Sequence, residues 1–179
     1  MAKQVLILSS SPRKGGNSDT LCDQVLKGAG AGGHLAEKVF LAERDLHACT
    51  GCGACARRPG RCSQKDDMAG ILEKMVRADV IVLATPVYFY SMASQMKLLI
   101  DRTCARYREL RHKEFVFIVA AADGSRKAMH RTLEGFRGFL SCLEDPIERG
   151  VVYGTGAWEA GDIQGSAAMQ EAYQMGLSL

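Results

Sequence analysis

What this chain of 179 residues lacks already narrows its function. It has no dense basic tract: 23 Lys and Arg stand against 20 Asp and Glu, and a scattered net charge of +3 excludes nucleic acid as the main partner. No apolar run approaches the length of a membrane span, so no membrane partner is expected. The opening stretch MAKQVLILSSSPRK holds one short apolar run and no small-residue cleavage site, which excludes a signal peptide. A cytoplasmic location is therefore expected. Thiols stay reduced there, and a disulfide framework for the seven cysteines is excluded. The loop after the first apolar run, SSSPRKGGNSDTL, has neither the GxxxxGK[ST] nor the GxGxxG spacing, which takes support from nucleotide triphosphatases and dinucleotide-binding Rossmann folds. No Ser-His-Asp set or paired carboxylates stand out, so no catalytic acid or base is named. There is no internal repeat and no low-complexity linker.

What is present is an alternation. Short β-branched apolar runs (Val5–Leu8, Val39–Leu41, Val80–Ala84, Phe115–Ala121, Val151–Tyr153) are separated by segments of helical period. The predicted helices span residues 19–27, 67–77, 93–107, 127–143 and 167–177. Asp66 and Asp67 suit the start of the second, beside the positive end of its dipole. GAGAGG at 28–33 reads as a flexible stretch where the first helix should end. Strands without hydrophobic alternation are buried on both faces, the mark of a parallel sheet. The expected fold is α/β, a flavodoxin-like doubly wound three-layer sandwich. Its five-stranded parallel sheet would run in the order 2-1-3-4-5, with ligands at the carboxyl ends of the strands. Residues 1–179 are expected to form a single domain, with a cysteine loop at 47–65 inserted after the second strand.

Two loops carry chemistry. After the first strand comes SSSPRKGGNSDTL, rich in hydroxyls and glycine and leading into a helix. Amides at such a helix start bind phosphate. Ser11, Asn17 and Ser18 can add hydrogen bonds, and Arg13 a planar fork beside Lys14 and Gly16. The plainer alternative is a polar turn capped by Asn17 or Ser18. The second loop, HACTGCGACARRPGRCSQKDD, spaces Cys49, Cys52, Cys55 and Cys62 as Cys-x2-Cys-x2-Cys-x6-Cys. The first three have the close spacing of bacterial ferredoxin loops, and Gly51, Gly53 and Gly60 allow tight bends. Zinc suits four thiolates but usually draws two separated Cys-x2-Cys knuckles. CARRPGR also outlines a tyrosine-phosphatase loop, yet no strand or histidine precedes the cysteine. Unmetallated thiols, packing as small hydrophobes, complete the alternatives. Arg57, Arg58 and Arg61 offset cluster charge or form a solvated rim, and His47 reads as an exposed loop residue. Cys22, Cys104 and Cys142 fall on predicted helices as core or interface residues.

SPRKGGNS, CTGCGAC…GRCSQKDDM, ADVIVLATPVYFYSM, MKLLIDR and GTGAWEAGDI, in this order, resemble the flavodoxin-like NAD(P)H-dependent FMN reductase family, and most closely its iron–sulfur flavoprotein branch. The resemblance implies an FMN-dependent oxidoreductase passing electrons from NAD(P)H to a quinone, a flavin or a protein acceptor. It also implies that residues Thr85 to Met92 hold the isoalloxazine ring. Pro86 would stiffen that loop and Val87 give an apolar contact, while Tyr88, Phe89 and Tyr90 offer flat surfaces. Thr85, Ser91 and Met92 complete it. These aromatics packing on the next helix or a second subunit is the plainer reading. Asp123 and Gly124 would give a third contact, although alanine stands nearby where relatives often carry threonine. Ser10 likewise replaces a usual glycine.

In the iron–sulfur flavoproteins a compact motif of this kind, matched by Cys49, Cys52, Cys55 and Cys62, holds a [4Fe–4S] cluster. The resemblance therefore also admits an electron carrier between ferredoxin-like partners and other acceptors, working as a homodimer or homotetramer. A thiol or metal sensor is the third reading of the cysteines. Trp158 would cover a flavin or anchor the tail.

Overall fold

The computed structural model describes residues 1–179. The strands, in chain order, are β1 (Gln4–Ser9), β2 (Leu35–Phe40), β3 (Val80–Tyr88), β4 (Ser91–Met92), β5 (Glu114–Ala120) and β6 (Ile147–Gly154). The helices are α1 (Asn17–Ala31), α2 (Ala54–Arg57), α3 (Met68–Arg77), α4 (Ser94–Arg102), α5 (His130–Leu140) and α6 (Ala167–Leu177). Five strands lie parallel in the order β2-β1-β3-β5-β6, the doubly wound order read from the sequence. β4 is a sixth, two-residue strand that turns back antiparallel on β3.

The pleat explains why the central strands read as unbroken apolar runs. Leu6, Leu8, Ile81, Leu83, Phe115 and Phe117 point to one face, where they meet Met68 and Leu72 of α3, Met96 and Leu99 of α4 and Phe136 of α5. Val5, Ile7, Val80, Val82, Val116 and Ile118 point to the other, against Leu21 and Val25 of α1 and Ala168 and Ala172 of α6. Phe117 stacks on Phe136 with ring centres 4.8 Å apart. Each such side chain contributes about 1.5–3 kcal/mol on burial. Exposed ion pairs such as Lys14–Glu43 contribute about 0–1 kcal/mol. The two apolar layers therefore decide the fold.

Several expected boundaries move. The second strand begins at Leu35 rather than Val39, because this edge strand alternates exposed and buried residues and lacks a continuous apolar run; Leu41 starts a short 3-10 turn. The GAGAGG stretch is largely helix. α1 runs through Gly28 and Gly30 to Ala31, and a Cβ on Gly28 would stand 2.0 Å from the Tyr173 carbonyl oxygen of α6. Gly28, with Gly176 on the facing helix, allows two helix backbones to touch. The helix expected over 93–107 stops at Arg102 and passes into 3-10 turns at 103–105 and 107–109. The helix expected from Lys127 begins at His130, after another 3-10 turn, and ends at Leu140. TPVYFYSM is not an open loop: β3 runs to Tyr88, and a two-residue turn at Phe89-Tyr90 returns the chain into β4. No helix is long and apolar enough to cross a membrane.

Candidate flavin cleft and cysteine loop

The β1–α1 connection is built around Asp19, which the sequence reading passed over as an ordinary helix residue. Its buried carboxylate accepts the Ser9 hydroxyl at 2.8 Å, the Gly15 amide at 3.0 Å and the Lys38 ammonium at 3.0 Å. Ser11 Oγ donates to the Arg13 carbonyl at 2.7 Å and accepts the Arg13 amide at 3.2 Å, and the Gly16 amide donates to the same carbonyl at 3.0 Å. The turn is tight: a Cβ on Gly16 would lie 2.7 Å from Ser11 Oγ and 3.0 Å from the Arg13 carbonyl oxygen. Gly16 occupies the N-cap position, without a side-chain cap, and the helix begins at Asn17 and Ser18. The first amides of a helix have no partner within it, and the end carries positive partial charge.

The expected ligands are used in different ways. Asn17 is not a simple cap. Its Nδ2 donates to the Glu159 carbonyl at 2.8 Å, and its Oδ1 accepts the Gly161 and Ile163 amides at 3.2 and 3.3 Å, so it straps the 157–163 loop beside α1. Arg13 reaches the Trp158 carbonyl at 3.2 Å. Lys14 pairs with Glu43 at 2.8 Å in the open. Thr85 is fully buried; its hydroxyl donates to the Pro86 carbonyl and accepts the Ala93 amide, which closes the β3–β4 hairpin. Phe89 and Tyr90 both take left-handed backbone, with φ of 49° and 61°. That is the geometry of a two-residue hairpin turn normally filled by Asn or Gly, and side chains larger than these hold it under strain. Phe89 is wholly exposed, and Tyr90 carries the Arg131 guanidinium over its ring at 6.0 Å.

These elements enclose a cleft of about 350 Å³ at the carboxyl ends of the strands. Ser11, Arg13, Asn17 and Ser18 line one end, Pro86, Val87 and Tyr88 one wall, and Ala120–Ala122 with Ala157–Glu159 the other. Ser91 and Met92 stand outside it. Met92 packs on the core, and its Cε lies 2.9 Å from where a Cβ on Gly135 would be. Asp123 does not join it: its carboxylate accepts the Ser125 amide at 2.7 Å and faces a neighbouring cleft of about 740 Å³ with Tyr90, Lys127, His130 and Arg131. Gly124 lines neither. Trp158, 71% exposed, stands at the rim and leaves its indole free to cover a ligand. A cavity of about 720 Å³ near Gln4, His34 and Arg77 lies at the amino ends of the strands, away from the crevice where doubly wound sheets hold ligands. A phosphate fits the amide-lined turn, whose close approach a larger residue at 16 would obstruct, and a flat ring fits the Pro86–Tyr88 wall. The residues present thus suit FMN.

The cysteine loop leaves the same end of β2 and is closed by one carboxylate. Asp66, fully buried, accepts two guanidinium N–H groups of Arg102 at 2.6 and 2.8 Å, the His47 amide at 3.1 Å and the Met68 amide at 3.2 Å. Asp66, rather than the N-cap residue Asp67, thereby caps α3. The same Arg102 donates to the His47 carbonyl at 2.6 Å and approaches Cys62 Sγ at 3.6 Å. The Arg102 hydrogen bonds hold the Asp66 carboxyl down at about 2. Gly51, Gly53 and Gly60 all adopt positive φ. Cys49 and Cys52 are exposed, whereas Cys55 and Cys62 are half-buried. Cys52 Sγ lies 3.2 Å from the Ser63 hydroxyl, and hydrogen bonds from Ser63, the Ala54 amide and Thr50 lower its pKa to about 7.

The expected roles of the remaining cysteines divide. Cys22 is core, with burial pushing its thiol well above the usual range. Cys142 is exposed beside the Gly138 carbonyl. Cys104 is neither core nor helical: it sits on the exposed turn after α4, with its sulfur 3.7 Å from Cys55.

The donor set distinguishes metals. A single zinc ion with bonds of about 2.3 Å draws its thiolates to within about 3.8 Å of one another. Only His112, Glu144 and Asp145 place three ligand atoms within 4.8 Å of one another, so no three of the loop sulfurs are gathered that closely. A cluster in which each iron takes its own thiolate does not require that closeness, and the Arg102 N–H near Cys62 is compatible with a thiolate ligand there.

Comparison with known proteins places the chain in a family. The family model described as NADPH-dependent FMN reductase matches residues 4–157. An iron–sulfur flavoprotein of Archaeoglobus fulgidus is 34% identical over 174 residues, covering 92% of this chain and 82% of that protein. A second one from the same organism is 41% identical over 100 residues, but that match spans 56% of this chain and only 44% of the relative. Among solved structures, an NAD(P)H:quinone oxidoreductase from Methanothermobacter marburgensis superposes with a TM-score of 0.77 at 15% identity, over 99% of this chain and 97% of the other. That likeness is one of fold.

Proposed function

The chain belongs to the NADPH-dependent FMN reductase family, in its iron–sulfur flavoprotein branch, and from that premise we propose that it transfers electrons from NAD(P)H through FMN to a quinone, a free flavin or a protein acceptor. The observation that carries this reading is the cleft in which the α1 amino terminus and the Ser11–Gly16 turn meet the Pro86–Tyr88 wall. FMN, when bound, supplies the redox chemistry. The chain binds and orients it. Backbone amides at the start of α1 and the Ser18 side chain receive the phosphate. Arg13 adds positive charge, and the Asp19 carboxylate keeps the turn in shape. Asn17 fixes the 157–163 loop, so that Trp158 and Ala157 close one side of the cleft. Tyr88 presents a half-exposed ring to a planar ligand, and the Thr85 hydroxyl holds the hairpin that carries it.

We further propose that Cys49, Cys52, Cys55 and Cys62 hold a [4Fe–4S] cluster, which makes the chain an electron carrier to ferredoxin-like partners. The buried Arg102, aimed at Cys62 and locked by Asp66, supports this reading, because an ordinary surface loop has no use for a desolvated guanidinium beside a thiol. The wholly exposed Phe89, with Tyr88, Tyr90 and Trp158 nearby in exposure, supports assembly as a homodimer or homotetramer, in which a second copy covers the aromatic rim.

The test is an absorption spectrum with iron, sulfide and zinc analysis on protein purified without oxygen, followed by turnover with NADH and NADPH. Flavin bands and NAD(P)H oxidation are expected, with about four irons per chain if the loop holds a cluster. Failure to bind added FMN refutes the central reading. Flavin without iron refutes the cluster alone, and scattering mass in solution checks the assembly.

A further inference from the structure

We propose that Cys55 and Cys104 form a redox-active pair that closes as a reversible intramolecular disulfide. Their sulfurs lie 3.7 Å apart, across 49 residues of sequence. No other pair of the seven cysteines makes such a contact. Cys52 faces the Ser63 hydroxyl, Cys62 faces Arg102, Cys142 faces the Gly138 carbonyl, and Cys22 is enclosed in the core. The backbone holds the two segments together, since the Gly60 amide donates to the Ala105 carbonyl at 3.0 Å. Cys104 follows a helix anchored by the buried Arg102–Asp66 pair, whereas Cys55 rides on the four-residue α2 between the positive-φ glycines Gly53 and Gly60. A disulfide needs sulfurs at about 2.05 Å, so closure requires an approach of about 1.7 Å, which rotation about the side-chain bonds and the glycine-flanked loop can supply.

Access is open as well. A cavity of about 390 Å³ borders both cysteines, with Pro59, Arg106 and Tyr107 among its walls. Arg106 is taken up by Glu73 and Glu109, and the exposed Arg108 at the same opening is the cation that suits a carboxylate of a small anionic disulfide of the glutathione type. Cys104, the more exposed thiol, attacks that disulfide through its minor thiolate fraction, which the Cys55 contact and burial keep small by raising its pKa; one small thiol is released and a mixed disulfide forms. The Cys55 sulfur then attacks Cys104 Sγ and expels the second small thiol. Two protein thiols lose two electrons and two protons, and the small disulfide is reduced to two thiols. Once closed, Cys55 can no longer ligate iron. On the cluster reading proposed above, covalent closure and cluster loading therefore exclude each other; the disulfide itself does not depend on that reading.

The test uses the full chain, freed of iron by anaerobic chelation, treated with oxidised glutathione, alkylated and mapped by mass spectrometry without reductant. The expected product is a Cys55–Cys104 crosslinked peptide, two hydrogens lighter than the free pair and reversed by reductant. Cys104→Ser, whose fold is checked by circular dichroism, should give no crosslink. Crosslinks confined to Cys49, Cys52 and Cys62 overturn the proposal, and so does a wild-type chain in which Cys55 and Cys104 both remain alkylatable. Protein that retains iron should take glutathione on Cys104 without crosslinking. Crosslinking at an unchanged rate with iron retained overturns the exclusion, whereas a chain that never binds iron leaves the first result to stand by itself.

Discussion

Replacing Asp66 with Asn isolates the pair that closes the cysteine loop. The change keeps shape and removes charge. Asp66 and Arg102 have side chains only 0% and 1% exposed, and their two short hydrogen bonds neutralise a guanidinium far from water. Removing one member of a buried pair leaves the other uncompensated, which costs about 3–5 kcal/mol. The wild-type carboxyl offers an independent check. Holding it at about 2, from an ordinary 3.8, corresponds to about 2.5 kcal/mol of stability. Because the folded pKa is depressed, that contribution is present above about pH 4 and disappears as pH falls through about 2. Exposed carboxylates such as Glu43, Glu73 and Glu109 titrate in both proteins and cancel in the comparison. Urea unfolding at pH 7 should therefore show Asp66→Asn weaker by about 3–5 kcal/mol, with the two proteins converging as the pH is lowered. Trypsin should also cut sooner at Arg57 and Arg61, because the loop loses its anchor at His47. A loss below about 1 kcal/mol, or a gap between the proteins that stays constant from pH 4 to 2, refutes the assignment.

Three further changes have definite signs. Gly28→Ala gains about 1 kcal/mol of helix propensity but drives a methyl to 2.0 Å from the Tyr173 carbonyl oxygen; the clash prevails, and thermal melting should show a net loss of about 1–3 kcal/mol or more. Gly16→Ala pushes on Ser11 Oγ and the Arg13 carbonyl, so titration with FMN should show affinity about tenfold weaker, with a stability loss of about 1 kcal/mol. Cys22, buried and with its thiol raised, should resist iodoacetamide at pH 8 in the native chain while Cys142 reacts, then react in urea; equal native rates for Cys22 and Cys142 contradict its placement.

The sheet was legible because its signal is local. Val5–Leu8, Val80–Ala84 and Phe115–Ala120 are apolar on both faces of the pleat, and a parallel sheet alone requires that. Leu35–Lys38 was hidden for the converse reason, since an edge strand half in water carries Glu37 and Lys38 among its apolar residues. Gly28 was misread because glycine reports a need for space without saying whether the chain bends or another backbone arrives. Here the cause is α6, more than 140 residues away in the sequence.

The cleft and the cysteine loop follow the same division. Their positions at the carboxyl ends of β1, β2 and β3 came from strand order, but the bonds that shape them join residues remote in sequence. Asp19 looked like one more helical carboxylate and proved to be the support of the phosphate turn through Ser9, Gly15 and Lys38. Arg102 sits in MKLLIDR near the end of a helix, where a solvated cation is the natural reading; only the return of residues 47–66 across α4 buries it. Cys104 lay outside the compact cysteine motif for the same reason. A spacing rule finds ligands supplied by one loop and misses a thiol that a neighbouring helix end brings to the same place. The sulfur contact with Cys55 is thus a tertiary fact, and it places a fifth thiol at the edge of a loop built for four.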